Sequence, residues 1–155
     1  MVSVRNKIVD WLKSTAKKVI YLNDTPEKIA LGFSLGVFLG IFPTFGLGGI
    51  LALGLSSVLR LNYASTIMGS VMIMNPVTTP MFWGLSALVG SLIFSKDSNL
   101  ILEYIKNKML FKSLGEIAII YLSGNLIISS LLSAVCYYLV KRLVITYRKR
   151  HPNIT

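Results

Sequence analysis

Arg60 is the only charged residue between Ile29 and Ser95, a stretch of 67 positions. A chain of 155 residues has too little polar sequence to cover that much apolar surface in water, so the stretch reads as membrane-embedded. Proline breaks it twice, at Phe42-Pro43-Thr44-Phe45-Gly46 and at Asn75-Pro76-Val77-Thr78-Thr79-Pro80. Non-helical backbone at membrane depth is tolerated only where protein or a wet cavity satisfies its N–H and C=O groups. In small transporters such breaks point to the functional site.

The charge-free runs are Ile29–Leu59, Leu61–Ser95 and Ile117–Val140, of 31, 35 and 24 residues. Each exceeds the ~18 residues that flag a membrane span. Charged residues make up 14% of the chain, against roughly 25% in soluble domains. The net charge of +10 would suit nucleic acid, but the basic residues flank the apolar runs. Six lie in Met1–Lys28, four in Lys96–Lys112 and five in Lys141–Arg150. That distribution favours anionic lipid headgroups as partners, and not nucleic acid. Cys136 is the single cysteine, so no internal disulfide forms. A cleavable signal peptide is not expected, because the first apolar run starts late and is too long.

The expected fold is all-α, one integral membrane domain over residues 1–155. Residues 1–24 form an amphipathic interfacial helix. Val4, Ile8, Trp11, Leu12, Val19 and Leu22 share one stripe, with Arg5, Asp10, Lys13 and Lys17 away from it. Residues 25–95 form two Pro/Gly-broken helical hairpins, either spanning or re-entrant. Asp24 or Thr25 caps the first helix, and Pro26 suits its first turn. From Pro26 to Ile41 is about 24 Å of helix, short of a ~30 Å hydrocarbon core. Leu47–Arg60 is the return arm, and Asn62–Met74 and Met81–Phe94 are the arms of the second hairpin. Residues 96–113 form an interfacial segment, 114–140 a transmembrane helix and 141–155 a loosely ordered basic tail. Tyr137 and Tyr138 followed by Lys141 and Arg142 place that end at the cytoplasmic face.

Asn75, Pro76, Thr78 and Thr79 are the leading candidates for a substrate site, with Pro43, Thr44 and Gly46 at the first break. Their polar groups either line a site or cap helix ends freed by proline. Gly32, Gly36 and Gly40 put a small residue on every fourth position, which lets another helix approach closely in lipid. Arg60, Lys141 and Arg142 are candidate lipid-phosphate or interface anchors. Asn125 lies within the last apolar run and can bond another helix. Gly36 and Gly69 each precede a proline by seven, an offset of 33 residues that other positions do not follow well. His151 is the lone histidine and no paired carboxylates occur in an apolar run, so no catalytic residues, metal site or cofactor are expected.

The run Ala30-Leu31-Gly32, with Gly36, Phe38, Gly40, Pro43, Gly46, Asn62, Gly69, Asn75-Pro76-Val77-Thr78 and Gly90, resembles a bacterial membrane family of unknown function, DUF2062. Where that family's pattern often carries a glutamine shortly after the Pro-x-x-Gly turn, this chain has Gly48. The resemblance implies a bacterial inner-membrane protein and supplies no biochemical activity. Two readings follow from the residues. One is transport or lipid translocation through the broken hairpins. The other is a non-transporting scaffold or accessory subunit of cell-envelope synthesis. Both imply a homo-oligomer or a protein partner, and neither is enzymatic. A water-accessible cavity uniting the two breaks would favour transport, whereas dry, packed breaks would favour the scaffold.

Overall fold

The computed structural model describes residue 14 and residues 23–44, 47–75, 78–94 and 110–150, without the side chains of 110–114 and 116. The described residues are all-α, in five helices: α1 (Pro26–Ile41), α2 (Gly48–Val58), α3 (Tyr63–Ile73), α4 (Thr78–Ile93) and α5 (Leu110–Arg150). The expected N-terminal interfacial helix and most of the 96–113 segment lie outside the described residues.

The helix ends follow local chemistry. Thr25 caps α1, its hydroxyl accepting from the Lys28 N–H at 3.3 Å, with Pro26 in the first turn. α1 stops where Phe42 takes the extended conformation (ψ 137°) that a residue before proline requires. Asn62 caps α3 by accepting from the Ser65 N–H at 3.0 Å. α2 closes with Arg60 at φ 52°, the left-handed position usually given to glycine. The Arg60 N–H bonds Ser57 O and the Leu61 N–H bonds Ser56 O, which together satisfy the last carbonyls of α2.

α1 is the centre of the packing. It lies parallel to α3, with Gly32 beside Ser65 and Gly40 beside Ile73. The 33-residue offset seen in the sequence is thus the packing register of these two helices. α1 runs antiparallel to α5, through Ser34 to Ser133 and Glu27 to Lys141. α4 also packs antiparallel on α5, Ser86 against Gly124 and Gly90 against Ile120. Ile29, Phe33, Val37, Ile41, Phe82 and Val144 form the buried apolar cluster.

The two units differ from simple hairpins. α1 touches α2, but its main partners are α3 and α5. α3 and α4 scarcely touch and are bent by 79° across the second break. The cause is the placement of small residues. The glycines of α1 face Ser65, Thr66, Ser70 and Ile73 of α3, while Gly90 of α4 and Gly124 of α5 face each other. A Cβ at Gly36 would stand 2.8 Å from the Ser70 nitrogen. The Ser70 hydroxyl donates to Gly36 O at 3.1 Å in the same buried seam.

One helix stretch, Ile117–Arg150, is long and apolar enough to cross a membrane, and the bent pair α3–α4 passes the same test together. Only 22% of the most apolar part of α5 is buried, which is unlike the core helix of a soluble protein. The expected loose tail after Val140 is corrected: α5 continues to Arg150. It is held there by Val144, which is fully buried, by Lys141 paired with Glu27 at 3.2 Å, and by Arg148 donating to Asp24 O at 2.8 Å.

Gly36→Leu should drive α1 and α3 apart and cost about 1–3 kcal/mol, as overpacking does. Gly54, with open space where its Cβ would go, should accept alanine with a gain of up to about 1 kcal/mol. Thermal unfolding of the two variants in detergent checks both: a lower midpoint for the first, an equal or higher one for the second.

Candidate functional site

Breaking a helix exposes its last carbonyls, because the N–H groups four residues on no longer reach them. At the first break, Ile41 O is taken up by the Asn125 side chain of α5, whose Nδ2 donates to it at 3.2 Å. The same nitrogen donates to the Ser86 hydroxyl of α4 at 3.1 Å, and Ser86 in turn donates to Phe82 O at 2.7 Å. Asn125 and Ser86 are fully buried. One amide therefore joins the end of α1, the middle of α4 and the middle of α5. Bonding to Ile41 O requires the nitrogen on that side, which fixes the amide orientation. Among the described residues no donor reaches Asn125 Oδ1, which is buried without a hydrogen bond.

Beside this node lies an open cleft of about 370 Å³ lined by Pro43, Trp83, Ala118, Tyr121 and Leu122. Its walls come from the same three pieces of chain. Pro43 follows Ile41 by two, Trp83 precedes Ser86 by one turn, and Tyr121 and Leu122 precede Asn125 by one turn.

The two breaks approach each other at Gly48. A Cβ there would meet the Met74 methyl and the Thr44 hydroxyl, both at 2.7 Å, and Leu39 O at 3.1 Å. Thr44 sits in a tight turn, its N–H on Phe42 O and its carbonyl accepting from Leu47 N–H. At the second break the Thr78 hydroxyl donates to Ile73 O at 2.6 Å, and the Thr79 N–H bonds Asn75 O at 3.0 Å. Thr78 therefore acts as a cap on the end of α3. Pro76 and Gly46 lie outside the described residues. Neither Asn75, Thr78 nor Thr79 lines the cleft, whereas Pro43 does.

The charged groups are elsewhere. Asp24 Oδ1 accepts from the Thr25 N–H and pairs with Lys28, and Asp24 Oδ2 accepts from Asn62 Nδ2 at 3.3 Å. Arg148 joins from α5, and Arg60 is exposed two residues before Asn62. The Glu27 backbone N–H, then Lys141, hold the exposed Glu27 carboxyl below its ordinary value. Lys141 also stands 5.7 Å over the Tyr137 ring, and Arg142 is exposed nearby. Every charged residue whose side chain is described lies at this one end of the bundle.

Sequence reasoning noted Asn125 as a helix-to-helix bond but gave it no place in a site, and it passed over Ser86, Trp83 and Tyr121. A signal for Asn125 existed: it is the only side-chain amide in the last apolar run. Ser86 and Trp83 looked like ordinary members of an apolar helix.

Asn125→Leu should leave Ile41 O and Ser86 short of a donor and cost about 1–3 kcal/mol. Ser86→Ala should cost less, because Ile41 O keeps its partner. Chemical denaturation of the single and double variants checks this, and a double loss smaller than the sum is expected for one shared network.

A family model described as an uncharacterized protein conserved in bacteria, DUF2062, matches residues 9–153. No curated protein and no solved structure matches the chain.

Proposed function

The chain belongs to that bacterial family, and we propose that it is an integral protein of the cytoplasmic membrane that holds lipid, with translocation of lipid ahead of passage of a polar solute. The observation that carries this reading is the collection of all described charges at one end. Asp24 is tied there to both Asn62 and Arg148, so the starts of α1 and α3 and the end of α5 share a face. α1 must then enter and α2 return on the same side, as a re-entrant hairpin. At about 24 Å, α1 stops short of the far side of a ~30 Å core. α3 and α4 together cross, and α5 crosses back.

Charge supports the orientation. The shared face and the preceding N-terminal segment carry twelve basic and three acidic residues, whereas residues 96–116 carry four basic and three acidic. The positive-inside bias puts the basic face in the cytoplasm. Arg60, Lys141 and Arg142 then stand at the depth of anionic headgroups. Arg60 holds a left-handed conformation at a position where glycine would be at ease. That supports a role for its guanidinium beyond closing α2.

The apolar walls of the cleft favour lipid over a polar solute, which would find nothing there to replace its hydration. The reading is non-catalytic, and no cofactor enters it. A scaffold remains the second reading, supported by Thr78 serving as a cap and by the sparsely held α2. Ile50 and Val58 on that helix are 69% and 82% exposed, a surface for a second copy or another membrane protein.

Arg60→Gly separates fold from lipid. It relieves the left-handed strain, so the variant in neutral detergent should unfold at the wild-type temperature or above. Phosphatidylglycerol should raise the wild-type midpoint, and raise that of Arg60→Gly by less. Equal shifts would count against Arg60 as a headgroup ligand.

A further inference from the structure

We propose that the cleft lies in the leaflet opposite the basic face, just beneath that leaflet's headgroups, and seats the upper part of an acyl chain from a lipid of that leaflet. The proposal rests on the membrane reading above and adds which leaflet, and which part of the lipid, the cleft takes.

Helix α5 gives the depth. Glu27 meets Lys141, Ser133 donates to Ser34 O and Asn125 donates to Ile41 O, so α1 and α5 run side by side without slipping. Lys141 marks the basic face. At about 1.5 Å per residue, Asn125 and the end of α1 stand about 24 Å from it, and Tyr121 about 30 Å, the thickness of a hydrocarbon core. A helix tilt of ~20° shortens the second distance only to about 28 Å. Two features of the sequence mark the same boundary. The uncharged run of α5 begins just after Glu116, and Ala118, Tyr121 and Leu122 of the cleft follow that residue within two turns. Trp83 and Tyr121 also give the far side aromatic residues to match Tyr137 and Tyr138 near the basic face, the pattern of the two interfaces of a membrane.

The walls choose the occupant. They present almost wholly apolar atoms, so a headgroup would give up its hydration there for nothing. A methylene chain has no hydration to lose, and an empty cleft would forfeit dispersion contacts on every wall. The volume of about 370 Å³ lies within the roughly 300–1,000 Å³ of small-molecule sites. The cleft also opens onto a flank that the membrane covers: Trp83 in its wall is exposed, as are Ile119 and Leu126 beside its α5 residues. The headgroup of the seated lipid stays outside, at the level of Lys112 and Glu116, where charges resume in the sequence. The two lipid contacts then stand in opposite leaflets, a phosphate at Arg60 and a chain in the cleft, as a path between leaflets requires.

Trp83 makes the site readable. With Trp11→Phe it is the sole tryptophan, and bromine on a neighbouring acyl chain quenches its fluorescence. That protein is reconstituted at low density in vesicles of phosphatidylglycerol and phosphatidylcholine. A tag after Thr155 captures the vesicles whose protein has the basic end outward and leaves those with the cleft end outward. Phosphatidylcholine brominated on the upper half of one chain is then exchanged into the outer leaflet alone. Strong quenching is expected with the cleft end outward and little with the basic end outward. Equal quenching from both sides, or the reverse order, would overturn the leaflet. Ala118→Phe fills the cleft from an exposed position and should remove most of the quenching. Full quenching in that variant would mean that chains meet Trp83 from the open bilayer, and would overturn the seat. Absence of quenching from either side would overturn the proposal too, since a second copy or another protein then covers Trp83. If Ala118→Phe does not fold, Ala118→Leu takes its place. Retention in alkaline-washed membranes and the phosphatidylglycerol shift report separately on the membrane and headgroup reading, so the two fail independently.

Discussion

The contact between the backbones of α1 and α3 sets the rest of the architecture. Without side chains at Gly32, Gly36 and Gly69, the two helices meet main chain to main chain, and the Ser70 hydroxyl bonds across the seam to Gly36 O. In lipid, where apolar helices gain nothing from leaving water, such close packing and interhelical hydrogen bonds are the main sources of association. The parallel direction of this pair forces α2 to carry the chain back to the starting face. α2 is left on the outside with little buried beyond Gly48, Ala52 and Ser56. The other face of α1 is covered by α5, whose length lets it receive α1 along one half and α4 along the other.

Breaking helices inside an apolar bundle leaves carbonyls that must find donors, and the two breaks solve this differently. The second is repaired locally, by Thr78 on Ile73 O. The first is repaired from a distance, by Asn125 of α5 on Ile41 O. The long-range repair has a structural consequence, because it fastens α1, α4 and α5 at one point. It also has a chemical one, because an amide brings an acceptor along with its donors. Among the described residues, the left-over oxygen stands at the first break.

Much of this was legible in the residues. Pro26 and Thr25 announced the start of α1, and Pro43 its end. The glycine stripe announced a close neighbour without naming it, because periodicity gives a face and not the partner that covers it. The same limit hid the bend: Asn75-Pro76 signals a break, but only the packing of Ser86 and Gly90 on α5 decides that α4 swings away from α3. The basic tail looked loose because its charges suggested solvent. The fully buried Val144 among them, and Arg148 reaching Asp24 O, were pairings across more than a hundred residues. Asn125 was given no place in a site for a related reason. Polar residues in a turn stand out in sequence, whereas a lone amide in a long apolar helix gains meaning only from what faces it.

The parallel register of α1 and α3 is tested most directly by paired cysteines in a Cys136→Ser background. A Cβ at Gly40 would lie 3.3 Å from Ile73 Cβ, close to the roughly 3.5–4.5 Å separation that a disulfide spans. Gly40→Cys with Ile73→Cys should cross-link within one chain on mild oxidation in the membrane, and Gly40→Cys with Tyr63→Cys, at the opposite end of α3, should not. Cross-linking of the second pair and not the first would mean antiparallel helices and would contradict the account.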